Sequence, residues 1–284
     1  MNCCSLFLHL GQKRLPNSHL NKMASDLLLM ESPWRFQILN SEIVMTQKDH
    51  IFHNEESNEI VRELEKQLEL IFTHLHDVET LYVSTDIVPI LQKGPTCGLV
   101  AIYMGTQKNE NRMKPIELLN VAKLKGFTNH GEMYSVDYMY DLILSTQNAV
   151  KIRLLDDIKS RSNQILDELK GGSLILIAYD ADHNHQPCKK KGHKAHWALL
   201  IGMIATKCKN YVLARHGKSR RVACWLWEDL LDSNMNLEEA SPVRREGGYV
   251  LPEGGVGGSK GLKDRLIVLY SNEPTHRLIH SGEM

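Results

Sequence analysis

The spacing of apolar residues changes character near residue 172, and that change limits the possible architectures more than any other feature of the chain. Before it, apolar residues recur at helical period. Ile60, Leu64, Leu68, Ile71, Phe72 and Leu75 fall on one face of a predicted helix over Glu59–His76, with charges between them. Leu81–Gln92 is extended, with Pro89 at a loop or strand edge, and Gly94-Pro95-Thr96 is a turn. Thr96 is the expected N-cap of a helix over Cys97–Gly105. Further helices are predicted over Pro115–Lys125, stopped by Gly126; over Val136–Ser145, capped by Ser135; and over Ser162–Lys170, stopped by Gly171-Gly172.

After that point the apolar residues gather into short, nearly continuous runs. Ser173–Tyr179, Trp197–Ile204, Tyr211–Ala214, Arg221–Trp227 and Arg265–Tyr270 read as strands, and Glu246–Gly261 as a long Gly-rich loop. Helices followed by strands predict an α+β fold rather than a βαβ repeat. Residues 1–55 are polar without a sustained period and are expected to be a poorly ordered extension, with a docked piece around Trp34–Leu39. Residues 56–284 are expected to form one domain.

Composition narrows the function classes. Of 284 residues, 34 are Lys or Arg and 34 Asp or Glu, so the formal net charge is zero. That argues against a chain built to coat nucleic acid or an anionic membrane. Six cysteines without a CxxC pair build neither a disulfide scaffold nor a zinc ribbon, and read as reduced thiols of a cytoplasmic protein. No apolar run approaches a membrane span. The first residues lack the basic start and cleavage site of a signal peptide.

Cys97 stands where a thiol becomes a nucleophile. The N-terminal end of a helix offers a positive dipole end and unpaired N–H groups, which lower a thiol pKa and can hold an oxyanion. Gln92 supplies a nearby amide for the same oxyanion, and the small Gly98 is expected to let a substrate approach closely. His196 begins an apolar strand in the distant β half, and Cys–His pairs in hydrolases are typically far apart in sequence.

Gln92-Lys93-Gly94-Pro95-Thr96-Cys97-Gly98-Leu99-Val100-Ala101, with His196-Trp197-Ala198-Leu199-Leu200-Ile201-Gly202, resembles the papain-like, bacteriocin-processing (C39-like) cysteine peptidases. More closely, these blocks are similar to the actin-maturation branch of that group. The resemblance implies a papain-like fold, with a helical half carrying the cysteine and an antiparallel β half carrying the histidine. It implies Cys97 as nucleophile, His196 as general base and acid, and Gln92 as the oxyanion-hole amide, with no cofactor. It further implies an aminopeptidase acting on the acetylated, acidic N-terminus of actin, with an actin-binding adaptor such as profilin as partner. Related peptidases place an Asp or Asn on the strand after the histidine. Here that stretch holds Asn210, Arg215, His216 and Ser219 without an Asp, and Asn234 lies further on, so the third member is left open.

Basic residues crowd the same region. Lys190 and Lys194 precede His196, and Arg215 and Arg220 follow it, which suggests a rim that binds an acidic peptide. Rival readings use the same residues or their neighbours. His183, His185, Cys188 and His193 match no standard zinc spacing, and lysines lie among them. A non-enzymatic interaction module would leave Cys97 an inert core thiol. An acyltransferase or transglutaminase would use the same Cys–His pair. The Gly254–Lys260 stretch is not a phosphate-binding loop, since no helix follows it.

Overall fold

Two of the apolar runs form the centre of the molecule because both of their faces are covered. The computed structural model describes residues 34–39, 42–47, 59–72, 78–84, 87–107, 109–147, 150–242, 248–270 and 276–280. Its strands are β1 (Trp34–Leu39), β2 (Glu42–Gln47), β3 (Val78–Val83), β4 (Ile152–Asp156), β5 (Leu174–Ala181), β6 (Pro187–Cys188), β7 (Ala195–Thr206), β8 (Asn210–Arg215), β9 (Ala223–Leu226), β10 (Arg265–Leu269) and β11 (His276–His280). Its helices are α1 (Glu59–Phe72), α2 (Cys97–Gly105), α3 (Pro115–Leu124), α4 (Val136–Thr146), α5 (Ser162–Lys170) and α6 (Trp227–Met235).

The strands join in the order β1-β2-β11-β3-β7-β5-β10-β4, while β8 lies between β7 and β9 and β6 pairs with β5. All pairs are antiparallel except β11 with β2. Along β7 the side chains alternate between two cores. Trp197, Leu199 and Ile201 face α1, α2, α3 and α4, whereas Ala198 and Leu200 face α5, α6 and Trp225 of β9. A strand buried on both faces reads as a continuous apolar run rather than an alternation. The fold is therefore α+β, as the change of pattern at residue 172 predicts.

Several local expectations meet corrections. Trp227–Met235 is a helix rather than the end of a strand: Trp227, Leu230, Leu231 and Asn234 are buried at helical spacing, and Glu228 and Asp229 occupy its first turn. Strand β4 and the short β6 have no counterpart in the sequence reading. Within the extension expected to be poorly ordered, Trp34–Leu39 pairs with β2, and residues 1–33, 40–41 and 48–55 lie outside the described residues. No helix among the described residues is long and apolar enough to cross a membrane.

Candidate active site

Helix α2 is apolar on every side, with seven of its nine residues buried, so its position on the sheet is fixed by packing rather than by polar contacts. Its cap differs from expectation. The Thr96 hydroxyl donates backward to the Lys93 carbonyl (2.9 Å) and makes no cap to the helix. The first-turn N–H groups, which have no intrahelical partner, are thus left to the site. Gly98 also differs. A Cβ there would lie 3.1 Å from the Met139 sulfur and 3.2 Å from Trp197 Cδ1. Its smallness lets α2 seat against α4 and β7, rather than admitting a substrate.

Strand β7 carries His196 to the same place. Pairing of β7 with β8 ends at Leu199–Arg215, so on that side the first residues of β7 have no strand partner among the described residues. The Cys97 thiol fills that gap. It bonds the His196 ring and receives backbone hydrogen bonds from Trp197 and Gly98. Cys97 is only 9% exposed and His196 7%. Burial pushes the Cys97 thiol up, but the His196 charge, the hydrogen bond with that ring and the two backbone groups together bring it below its ordinary 9.0. For His196, burial acts downward. The Cys97 charge, the bond with its thiol and the His216 carbonyl act upward and prevail, holding it above 6.5. The shifts favour a thiolate–imidazolium pair.

The open third position is filled by backbone. His196 Nε2 lies 2.6 Å from the His216 carbonyl oxygen. A carbonyl only accepts, so Nε2 carries a proton and Nδ1 is the nitrogen left for the thiol. None of the side chains considered from sequence takes this role. Asn210 pairs with Ala205, nine residues along β7 from His196, a separation of about 30 Å. Asn234 is wholly buried and spent on backbone, donating to Ala178 and Leu262 carbonyls (2.9 and 3.1 Å) and accepting from Asp264 N–H (2.8 Å). A carbonyl orienter leaves no side-chain signature, which is why sequence reasoning missed it.

The turn after β8 serves the pair twice. Besides presenting the His216 carbonyl, it accepts the Gln92 N–H at Gly217 O (2.8 Å), which brings Gln92 to the site. The Gln92 carboxamide donates to Gly94 O (2.7 Å). Around His196 stand Tyr179, edge-on at 5.7 Å, and the rings of His185 and His216 at 6.2 and 6.1 Å. Burial first, then the charges of His196 and His185, lowers His216 to about 4; burial and the His196 charge also lower His185. Of these three imidazoles, His196 is held above its ordinary range and the other two below it.

Cys97, His196 and Gln92 open onto a cleft of about 590 Å³. Met133, Tyr134, Trp197 and Leu262 form an apolar part of its wall, and Lys190, Lys194 and Lys218 a basic part, with Asp182 and Glu132 also present. Arg215 and Arg220 do not line it. Arg215 is 3% exposed and donates to the Arg220 carbonyl (2.5 Å), with Glu63 nearby, so it closes the turn rather than meeting a ligand. Among the described residues, no group of three or more His, Cys, Asp or Glu side chains is arranged to hold a metal ion.

Comparison with known proteins gives this geometry a lineage. Residues 87–204 match the family model "Actin maturation protease-like, C-terminal domain". The actin maturation protease of Drosophila melanogaster is 40% identical over 185 residues, which is 63% of this chain and 67% of the fly protein. That of Danio rerio is 32% identical over 236 residues, covering 69% and 76%. The chain belongs to the actin maturation protease family. It is a peptidase. The segment matching the actin maturation protease-like model holds Gln92, Cys97 and His196, and stops before the turn that carries His216. The solved structure of a C39-like peptidase from Bacillus anthracis is a distant likeness, with TM-score 0.43 and 12% identity over 68% of this chain and 98% of the other. It is too remote to transfer residue roles.

Proposed function

We propose that this peptidase removes the acetylated N-terminal residue of actin by Cys–His nucleophilic catalysis. The observation that carries the mechanism is the buried Cys97–His196 pair, with thiol lowered and imidazole raised and with His216 O fixing the tautomer. The Cys97 thiolate attacks the carbonyl of the acetylated first residue. The oxyanion is held by the N–H groups at the start of α2 and by the Gln92 amide. His196 gives its proton to the leaving amine, which becomes the new N-terminus of the substrate. A water, deprotonated by His196, then hydrolyses the thioester and frees the acetylated amino acid.

The substrate reading rests on the names of the relatives and on the cleft. Lys190, Lys194 and Lys218 suit the acidic residues that follow the first residue of actin, and the apolar wall suits an uncharged, acetylated terminus. Incubating the purified chain with an acetylated actin N-terminal peptide should release the acetylated residue. An intact peptide, with Cys97 reduced, would refute the reading.

A further inference from the structure

The loop between β5 and β7, residues 182–194, brings Lys190 and Lys194 to the cleft and leads directly into His196. Its shape is set by one buried carboxylate that the chemistry above does not use. Asp180 is fully buried, and its side chain accepts three backbone hydrogen bonds from this loop. Oδ2 accepts from Lys190 N (2.8 Å) and Gly192 N (2.7 Å), and Oδ1 from Lys194 N (2.9 Å). Charge-assisted bonds from three N–H groups of one loop to a single buried carboxylate fix the curvature of that loop.

Two of those three N–H groups belong to the lysines that line the cleft. The neighbours of Lys190 in the KKK run tie the loop to α6 and the chain after it. Lys189 pairs with Asp232 of α6 (2.5 Å), and Lys191 uses its backbone to bind Asn236, Glu238 and Glu239. Gly192 is tightly held: its φ is +97°, and a Cβ would lie 2.5 Å from the Glu239 carbonyl oxygen. The loop is thus clamped between Asp180 on one side and the chain after α6 on the other.

We propose that Asp180 is a positioning residue that, by gathering the N–H groups of Lys190, Gly192 and Lys194, aims the two lysine side chains into the cleft and so sets its preference for acidic peptides. This rests on the reading of Lys190 and Lys194 as substrate contacts. Asp180 faces Ala195 across the β5–β7 ladder and so lies beside the catalytic strand without touching the Cys97–His196 pair. Replacing the carboxylate with an amide keeps size but turns an NH2 group toward an N–H donor, which loosens the loop.

The test compares Asp180→Asn with wild type on two acetylated peptides, one acidic after the first residue and one with those acids replaced by their amides. In parallel, Cys97 alkylation reports the catalytic pair without any substrate. Asp180→Asn should raise KM for the acidic peptide about tenfold, leave KM for the neutral peptide and kcat for both within about twofold, and leave Cys97 alkylation unchanged. Lys190→Ala with Lys194→Ala should show the same loss of discrimination. Should Asp180→Asn not fold, Gly192→Ala opens the same loop from another atom and carries the same expectation. Discrimination that persists in these loop variants, or a parallel fall in kcat and alkylation, overturns the role of Asp180. A wild-type enzyme that cuts both peptides equally overturns the basic-wall reading along with it.

Discussion

Cys97, at the start of α2, is buried and Cys224, in β9, is half-buried, and desolvation acts on the two thiols in the same direction. For Cys224 it is the only influence and pushes the thiol up to about 12. For Cys97 burial is again the largest single effect, yet the outcome is a thiol below 9.0. What differs is the setting: an imidazole held at the edge of a strand, two backbone N–H groups, and a helix whose first turn is left open by its own N-cap residue. Desolvation alone raises a thiol, and an imidazole with backbone N–H groups placed around it brings the thiol back down.

The strongest way to break the contrast is to remove its chemistry. Cys97→Ala and His196→Ala should each lower kcat/KM on the acetylated actin peptide roughly 10³-fold or more, whereas Cys224→Ala should leave it nearly unchanged. Alkylation reads the same contrast without a substrate. At neutral pH a thiol held below its ordinary range at Cys97 and one pushed up to about 12 at Cys224 favour the Cys97 thiolate strongly. The weaker nucleophilicity of a low-pKa thiolate cancels part of that advantage, and Cys97 should still be alkylated at least roughly tenfold faster than Cys224. In His196→Ala the rates should converge.

The pH profile sharpens it further. Activity should fall toward acid as the Cys97 thiolate takes up a proton, at a pH below that of an ordinary thiol. It should fall toward base as His196 loses the proton destined for the leaving amine, at a pH above that of an ordinary imidazole. A profile that only rises up to pH 9 would place an ordinary thiol at position 97.

The smaller effects concern how α2 and its neighbour α4 are held. Gly98→Ala should cost about 1–3 kcal/mol in a denaturant titration, because the added methyl meets Met139 and Trp197. Ser135 accepts from Tyr138 N–H (3.2 Å), so Ser135→Ala should cost about 1 kcal/mol. Thr96→Ala should cost less than about 0.5 kcal/mol, since Thr96 makes no cap to α2. A cost for Thr96→Ala equal to that for Ser135→Ala would mean that the first turn of α2 is capped after all.

Much of this was legible before the structure. The limits of α2 and α5, and five of the strands after residue 172 (β5, β7, β8, β9 and β10), follow from apolar spacing and from Gly and Pro punctuation. The Cys97–His196 pair follows from one residue at a helix start and another at a strand start. The rest depends on relations that sequence does not carry. The carbonyl of His216 orients His196 whatever its side chain, so no residue type marks it. Arg215 sits in a basic stretch but is turned inward, because β8 buries that end of the strand. Asp180 looks like the polar end of a strand until the loop folds back on it.

The measurement that tests the central claim most directly is mass spectrometry of an acetylated actin N-terminal peptide incubated with wild-type chain, Cys97→Ala and Cys224→Ala. The account predicts loss of the acetylated first residue with wild type and Cys224→Ala, and an intact peptide with Cys97→Ala. Cleavage by Cys97→Ala at the wild-type rate would contradict it.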